Sequence, residues 1–416
     1  MFFHDLTLVK FLENFIFYYP LAMSIIWIIG SIYFFFRREY DTSVVPELTD
    51  YPLVSVLIPA RNEEAAIRNT VSGVLQSNYP NFEIIVIDDA STDTTPAILR
   101  EIAAASPKVR VLLLQENSGK PAALRYGTLS SQGDIILTID ADAYLDPNAI
   151  HWMVSHFSSP RVGAVTGNPR VRNRTSLLGK IQVGEYSSII GMIKRTQRIL
   201  GKVLTVSGVI AAFRKQALFD VGLWDTDMIT DDINITWKLE KRFWDIRYEP
   251  NALCWILVPE SIKGLWKQRI RWAQGGTEVI RRHGDIWRSW KQRRLWPVYL
   301  EYVTSVLWSY TYVVFAFIWG INLFYPTGIP GVNFIPDWKG SFLVLICLVQ
   351  FLAGLLLDRR YEKKICTHLF WVIWYPFFYW ILAAFATVYT TPKALFKKMG
   401  TPAVWNSPDR GLFTKL

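Results

Sequence analysis

Cysteine is scarce in this chain: three residues in 416, Cys254, Cys347 and Cys366, with no paired spacing. That argues against a disulfide framework and a structural zinc site. Histidine is scarce too, and His151 and His156, which could share a helix face, lack acidic or cysteine company for metal ligation. No GxxxxGK[ST] loop and no GxGxxG turn after the first strand is found, so the fingerprints of a Walker-type ATPase and a dinucleotide-binding oxidoreductase are missing. Internal repeats and low-complexity tracts are absent. Acidic charge is in deficit, with 35 Asp/Glu against 45 Lys/Arg. Residues 263–294 hold ten Lys/Arg against only Glu278 and Asp285, so most of the net +10 sits in one segment. Flanked by apolar runs, that segment suits anionic lipid or a phosphorylated substrate, not nucleic acid.

What is abundant is apolar sequence. A 51% hydrophobic, 19% charged composition fits a soluble domain joined to membrane spans. Residues 15–36 carry no charge and end at Arg37-Arg38, the pattern of a retained span with its C-terminal end in the cytoplasm. Three more charge-free runs occupy 302–325, 341–357 and 369–390. The link between the first two has one basic residue, Lys339, whereas the link after the second has Arg359, Arg360, Lys363 and Lys364. The positive-inside rule places the second link in the cytoplasm, with residues 37–301. Pro376 allows the last run to be broken or re-entrant, and leaves open the side of the basic tail, 391–416.

Between the spans, a domain over 50–260 alternates apolar β-branched runs (53–60, 82–90, 109–115, 134–142) with helix-like stretches. That alternation predicts an α/β fold: a mostly parallel sheet with helices on both faces, and ligands at the carboxyl ends of the strands. Acids stand at those ends: Asp88-Asp89 after the second run, Asp140 and Asp142 after the fourth. An acid there is often only a turn former or helix cap, and Asp93 fits that role. Asp140 and Asp142, two residues apart, suit Mg²⁺ or Mn²⁺ shared with a substrate phosphate. Lys120, at a helix start after Gly119, suits the phosphate itself. Asp231-Asp232 open a further helix, as a cap or as a general base. A basic, tryptophan-rich stretch at 261–297 precedes the next span.

In this order, "DDAST", "DAD", "TDD" and "QRIRW" resemble the Asp, Asp, Asp, Gln-x-x-Arg-Trp signature of processive family-two glycosyltransferases. That family includes cellulose, chitin and hyaluronan synthases. Longer stretches, "AVTGNPRVRNRTSLLGKIQVGEYSSIIGMIKRTQRI" and the terminal "WNSPDRG" among them, are similar to the synthases of β-1,6-linked N-acetylglucosamine biofilm polymer. The resemblance implies a nucleotide-sugar glycosyltransferase fold with one N-terminal and about three C-terminal spans, in a bacterial cytoplasmic membrane. It implies UDP-N-acetylglucosamine as donor, a growing sugar chain as acceptor, a small accessory membrane subunit, and control by cyclic di-GMP through that subunit.

Carried over, Asp89 contacts the uracil, Lys120 the diphosphate and Asp140 the ribose side, while Asp142 ligates Mg²⁺. Asp232 is the base; Asp231 stands where the family has Glu. Gln268 helps bind acceptor or donor, Arg271 pairs with the leaving diphosphate and Trp272 stacks on the acceptor sugar. Trp266, Lys267, Trp287, Trp290, Arg293 and Arg294 are left to hold the domain at the cytoplasmic leaflet. Rival readings are a chitin-like or hyaluronan-like synthase, a non-processive transferase acting on a lipid carrier, and a transporter with a nucleotide-binding domain. Against the last, no expected span carries an interior charge beyond the flanking Glu301.

Overall fold

The computed structural model describes residues 6–42, 44–325, 338–398, 400 and 401. The "WNSPDRG" stretch, the end of the basic tail and most of the link ahead of Lys339 lie outside them. A long helix, α1 (Leu6–Phe34), leads into the domain. Its first half alternates β1 (Val54–Ala60), α2 (Ile67–Leu75), β2 (Phe82–Asp88), α3 (Thr95–Ala105), β3 (Val109–Leu113), α4 (Lys120–Ser130) and β4 (Ile135–Ile139). Then follow β5 (Tyr144–Leu145), α5 (Ala149–Val154), β6 (Val162–Val171), α6 (Leu177–Glu185), α7 (Met192–Leu200), β7 (Ile210–Arg214), α8 (Lys215–Asp220), α9 (Asp231–Lys241) and β8 (Asp245–Ile256). The C-terminal part comprises α10 (Ile262–Arg282), α11 (Trp296–Asn322), α12 (Trp338–Asp358), α13 (Leu369–Val372) and α14 (Tyr375–Phe396).

The four apolar runs become β1 to β4, parallel throughout, within an eight-stranded sheet of order β3-β2-β1-β4-β7-β6-β8-β5. Alternation along each strand covers both faces. Val56 and Ile58 point into a core with Ile67 and Val71 of α2 and Leu99 of α3. Leu57 points the other way, to Ala123 and Leu124 of α4 and Ile235 of α9. The sheet is not wholly parallel: β7 runs against both β4 and β6. After β6 the chain leaves through α6 and α7 and re-enters at the sheet end it left, which reverses β7.

Among the described residues, three helices are long and apolar enough to cross a membrane: Thr7–Glu39, Trp296–Asn322 and Trp338–Asp358. The third expected C-terminal span differs. Residues 369–390 break between α13 and α14, ahead of Pro376, and α14 carries Thr387, Thr390, Thr391 and Lys393. Both ends of α14 touch the domain side. Near its start the guanidinium of Arg269 lies 5.5 Å over the Tyr379 ring. Just past its end, Lys397 Nζ donates to Glu278 (3.0 Å), and the amide of Gly400 donates to Asp227 (2.9 Å). The tail as far as residue 401 therefore lies with the domain.

α6 and α7 join through a π-helical turn, Tyr186–Gly191, and form a spine between domain and membrane helices. On it, fully buried Arg195 donates from Nε to Glu39, last residue of the π-helical turn Phe35–Glu39 that continues α1 (2.6 Å), and from Nη2 to Asp358 at the end of α12 (2.8 Å). Asp358 also pairs with Arg170 of β6, and Tyr361 donates to Glu39. Arg37-Arg38 and Arg359-Arg360 thus fall on the domain's side, where the charge pattern puts them.

Removing one partner from a buried network leaves an uncompensated charge, typically costing ~3–5 kcal/mol. Arg195→Leu is expected to destabilise the detergent-solubilised protein by about that amount, read by urea unfolding. A second expectation concerns pH. His283, stacked on Trp237 and bonded to Asn234 (3.0 Å), has its imidazole pushed down from 6.5 to about 4 by burial. Its folded form holds the neutral ring, so its contribution is complete above pH 6.5 and is lost as pH falls towards about 4. A thermal-midpoint series over that range should fall in the native protein and flatten in His283→Asn.

Candidate active site

The strand ends converge as the acids require. Lys120, first residue of α4, donates from Nζ to Asp140 Oδ1 (2.6 Å) and to the carbonyl of Gly208 (3.0 Å). Gly208 in turn lies against Asp232: a Cβ there would sit 3.0 Å from Asp232 Oδ2. Lys120, Asp140, Asp231 and Asp232 therefore form one cluster, recessed but still reached by solvent. Burial would lower the Lys120 ammonium, yet Asp140, Asp231 and Asp232 outweigh it and hold the group protonated well above its ordinary range. Burial raises Asp231 to about 6, opposed by Lys120 and reinforced by Asp232 and Asp140.

Asp89 directly follows β2. It is fully buried, and its two oxygens accept the amides of Ser118 (2.7 Å) and Gly119 (2.9 Å). Through these bonds Asp89 holds the Ser118–Gly119 loop that leads into Lys120. Beside it, Arg61 donates to the carbonyls of Asp89 and Ala90. Asn62 and Ala90 both have φ of 54°, a left-handed conformation unfavourable for side-chain-bearing residues, at the ends of β1 and β2.

Asp142 is buried two residues beyond Asp140, and both carboxylates act on the Tyr186 hydroxyl, whose pKa burial raises. Among the described residues, no three His, Cys, Asp or Glu side chains gather to hold a metal. A site of the Mg²⁺ kind needs fewer, because one or two carboxylates plus substrate phosphates and water complete its shell. Asp140 is engaged by Lys120, and Asp142 is the neighbouring carboxylate at the same strand end.

The Gln-x-x-Arg-Trp stretch lies on α10, which meets the cluster closely. Gly275 abuts Thr230, where a Cβ would come within 2.3 Å of the threonine methyl, so only glycine lets α10 approach. Gln268, Arg271 and Trp272 share that helical face, three to seven residues earlier. Arg271 is exposed, and Gln268 keeps a buried Oε1 without a partner among the described residues. Trp272 is half-buried, and the Arg269 guanidinium lies 4.5 Å from its ring centre. Arg269 is itself tied to Glu185 of α6 (2.7 Å). Arg269 and Glu185 escaped the sequence reading. The available signal was a cation four residues after buried Leu265 and three before Trp272, on the inward face of an amphipathic helix. Buried Lys194, which donates to Thr166 (3.2 Å) and is lowered to about 7 by burial against the field of Asp232, gave no such signal.

Of the expected leaflet residues, Trp290 is well exposed and Trp287 stacks on Trp296 (4.9 Å). Trp266 instead packs on Tyr389 of α14.

Residues 52–275 match the family model described as "Glycosyltransferase like family 2". The chain belongs to that family. The transferase is 42% identical to the poly-beta-1,6-N-acetyl-D-glucosamine synthase of Staphylococcus epidermidis, over 96% of this chain and 98% of that protein. It is 45% identical, with the same coverage, to the protein so named in Staphylococcus aureus strain COL. Among solved structures it is similar to a mannosyltransferase of Pyrobaculum calidifontis, solved with GDP-Man and Mn2+. The TM-score is 0.54 at 20% identity, covering 85% of this chain and 99% of the other, a likeness of fold.

If Arg269 sets the ring of Trp272, Glu185→Gln should loosen it. The expected result is at least a ~10-fold fall in sugar transfer with unchanged nucleotide binding, plus a shift in tryptophan emission. Arg269→Lys, with Glu185 intact, should likewise lose more than half of the native rate, because an ammonium cannot stack and pair as a planar fork does.

Proposed function

We propose that this transferase polymerises N-acetylglucosamine from UDP-N-acetylglucosamine into a β-1,6-linked exopolysaccharide, by repeated inverting transfer at the cytoplasmic face of a bacterial cytoplasmic membrane. The observation that carries the reading is near full-length likeness, at 42% and 45% identity, to two synthases of that name. The clustered acids and the Gln-x-x-Arg-Trp helix supply chemistry to match.

In this reading Asp232, at the N-terminus of α9, takes the proton of the acceptor hydroxyl, a step commonly worth ~10²- to 10⁴-fold. Attack opposite the leaving group turns the α-linked donor into a β-linked product. Lys120 and Arg271 meet the charge that develops on the departing diphosphate, and fixed charges of this kind are usually the largest catalytic term. Lys120 leaves Asp140 for phosphate as donor enters, and Asp140 then faces the ribose. Asp142 would hold Mg²⁺ or Mn²⁺, which supplies further neutralisation of the diphosphate when bound. Asp89 shapes the base end through the Ser118–Gly119 loop. Trp272 offers its free face to the acceptor sugar, with Gln268 beside it as a hydrogen-bonding partner. Asp231, raised to about 6 by burial, stands beside Asp232 without being the base.

UDP-sugars are cytoplasmic, which agrees with the basic ends of α1 and α12 lying on the domain's side. The reading also carries a small accessory membrane subunit, since three candidate spans among the described residues are few to enclose a sugar polymer. Control by cyclic di-GMP would reach the chain through that subunit.

Membranes containing the protein, supplied with labelled UDP-N-acetylglucosamine, should yield polymer cut by a hexosaminidase specific for β-1,6 links. Resistance to that enzyme with sensitivity to chitinase would favour a chitin-like product. Asp232→Asn should abolish polymer and keep UDP binding within about threefold, while Asp231→Asn should only slow synthesis. The reverse pattern would move the base to Asp231.

A further inference from the structure

At the far end of α9 from Asp231, nine residues or about 13 Å along the axis, a cavity of about 400 Å³ opens. Its walls are the N-terminal ends of β6 and β8, the turn after α7, and the segment joining α10 to α11. Five basic side chains line it: Arg161, Lys202, Arg247, Lys291 and Arg294. Two acids accompany them, Glu240 and Asp245. Asp245 is already committed to Arg198 (3.1 Å) and Arg247 (3.2 Å). Glu240 is buried, with Oε1 accepting the amide of Val203 (3.0 Å) and Oε2 without a partner among the described residues. Burial raises it to about 7, so much of its charge is absent near neutrality. Arg161, Lys291 and Arg294 form no ion pair among the described residues, and Lys202 reaches the carbonyl of Glu240 at 3.5 Å and lies in the field of its carboxylate.

Like charges gathered round one recess repel each other unless an anion joins them. The chemistry favours a particular anion. Arginine forks match the oxygens of phosphate, and a protonated Glu240 can donate a further hydrogen bond. The location narrows it again. Lys291 and Arg294 flank Arg293, whose guanidinium lies 5.4 Å from the ring centre of exposed Trp290. Arg294 stands two residues before α11, a candidate span. Eight residues, about 12 Å of helix, separate it from the charge-free run that starts at Tyr302.

We propose that this cavity is a phosphate-ester site, separate from the donor site and close to the membrane surface. Its ligand is either the headgroup phosphate of an anionic phospholipid or a soluble phosphorylated molecule. Binding there would fix the 284–295 segment, and with it the C-terminal end of the helix that carries Trp272.

The test uses the full chain in phosphatidylcholine nanodiscs, with UDP at saturation throughout so that the donor site is filled. One arm replaces part of the lipid with phosphatidylglycerol; the other adds inorganic pyrophosphate to phosphatidylcholine discs. Thermal midpoints are read for the native protein, Lys291→Ala and the double variant Arg161→Ala/Arg294→Ala. A rise with phosphatidylglycerol alone, weakened about tenfold in apparent affinity by the double variant, assigns a lipid headgroup. A rise with pyrophosphate alone, weakened likewise, assigns a soluble ligand, and a rise in both arms assigns the shared chemistry with either source admitted. No rise in the native protein, or an equal rise in the variants, overturns the site. Because the donor site stays filled, that failure would leave the proposed polymerase reaction standing. Lys291→Ala, an exposed change, keeps the comparison valid should the double variant unfold.

Discussion

Everything about how this enzyme sits against its membrane helices depends on Arg195. Its guanidinium is wholly removed from water and bridges two carboxylates, Glu39 in the π-helical turn that continues α1 and Asp358 at the end of α12. Asp358 continues the chain to Arg170, and Glu362 links Arg170 to Arg174. Desolvating so many charges gives little net stability, because the Coulombic gain roughly offsets the hydration lost. The network's effect is geometric. Any sliding of α1 or α12 against the domain would strand a charge in a dry interior, so one arrangement is selected sharply over its neighbours.

The same helical spine carries that constraint into the active site. Arg195 lies one residue from Lys194, whose ammonium feels Asp232, and ten residues from Glu185, which holds Arg269 beneath Trp272. Trp272 and Asp232 are thus both referenced to the element that is locked to the membrane helices. A polymer-making enzyme benefits from such a link, because each new acceptor end must return to one place relative to both the donor and the membrane. The π-helical turn at Tyr186–Gly191 falls between these contacts, where Ser188 accepts α12 as a neighbour through Gln350 (3.0 Å). An extra residue in that turn shifts the helical phase, so the acid-facing and membrane-facing residues can lie on one spine.

In the cleft, electrostatics dominates over packing. Four charged groups crowd around Gly208, and Lys120 is the cation that makes their coexistence tolerable before any ligand arrives. Asp89, fully buried, holds the Ser118–Gly119 backbone that leads into this lysine.

How much of this was legible in advance differs by feature. The short apolar, β-branched runs with acids at their ends were enough to place β1 to β4, the strand-end cleft, and the grouping of Lys120, Asp140, Asp231 and Asp232, because local pattern and parallel topology leave few alternatives. Charge asymmetry around the spans likewise determined which ends of α1 and α12 stand with the domain. The reversal of β7, the folding back of α14 along α10, the capping role of Asp89 and the Glu185–Arg269–Trp272 stack were decided only in three dimensions. Each depends on partners between about 29 and 110 residues apart in the chain. No local preference of a glutamate or an arginine encodes which distant partner will share its burial; that choice belongs to the packed whole, where a charge without its counterpart could not be kept from water.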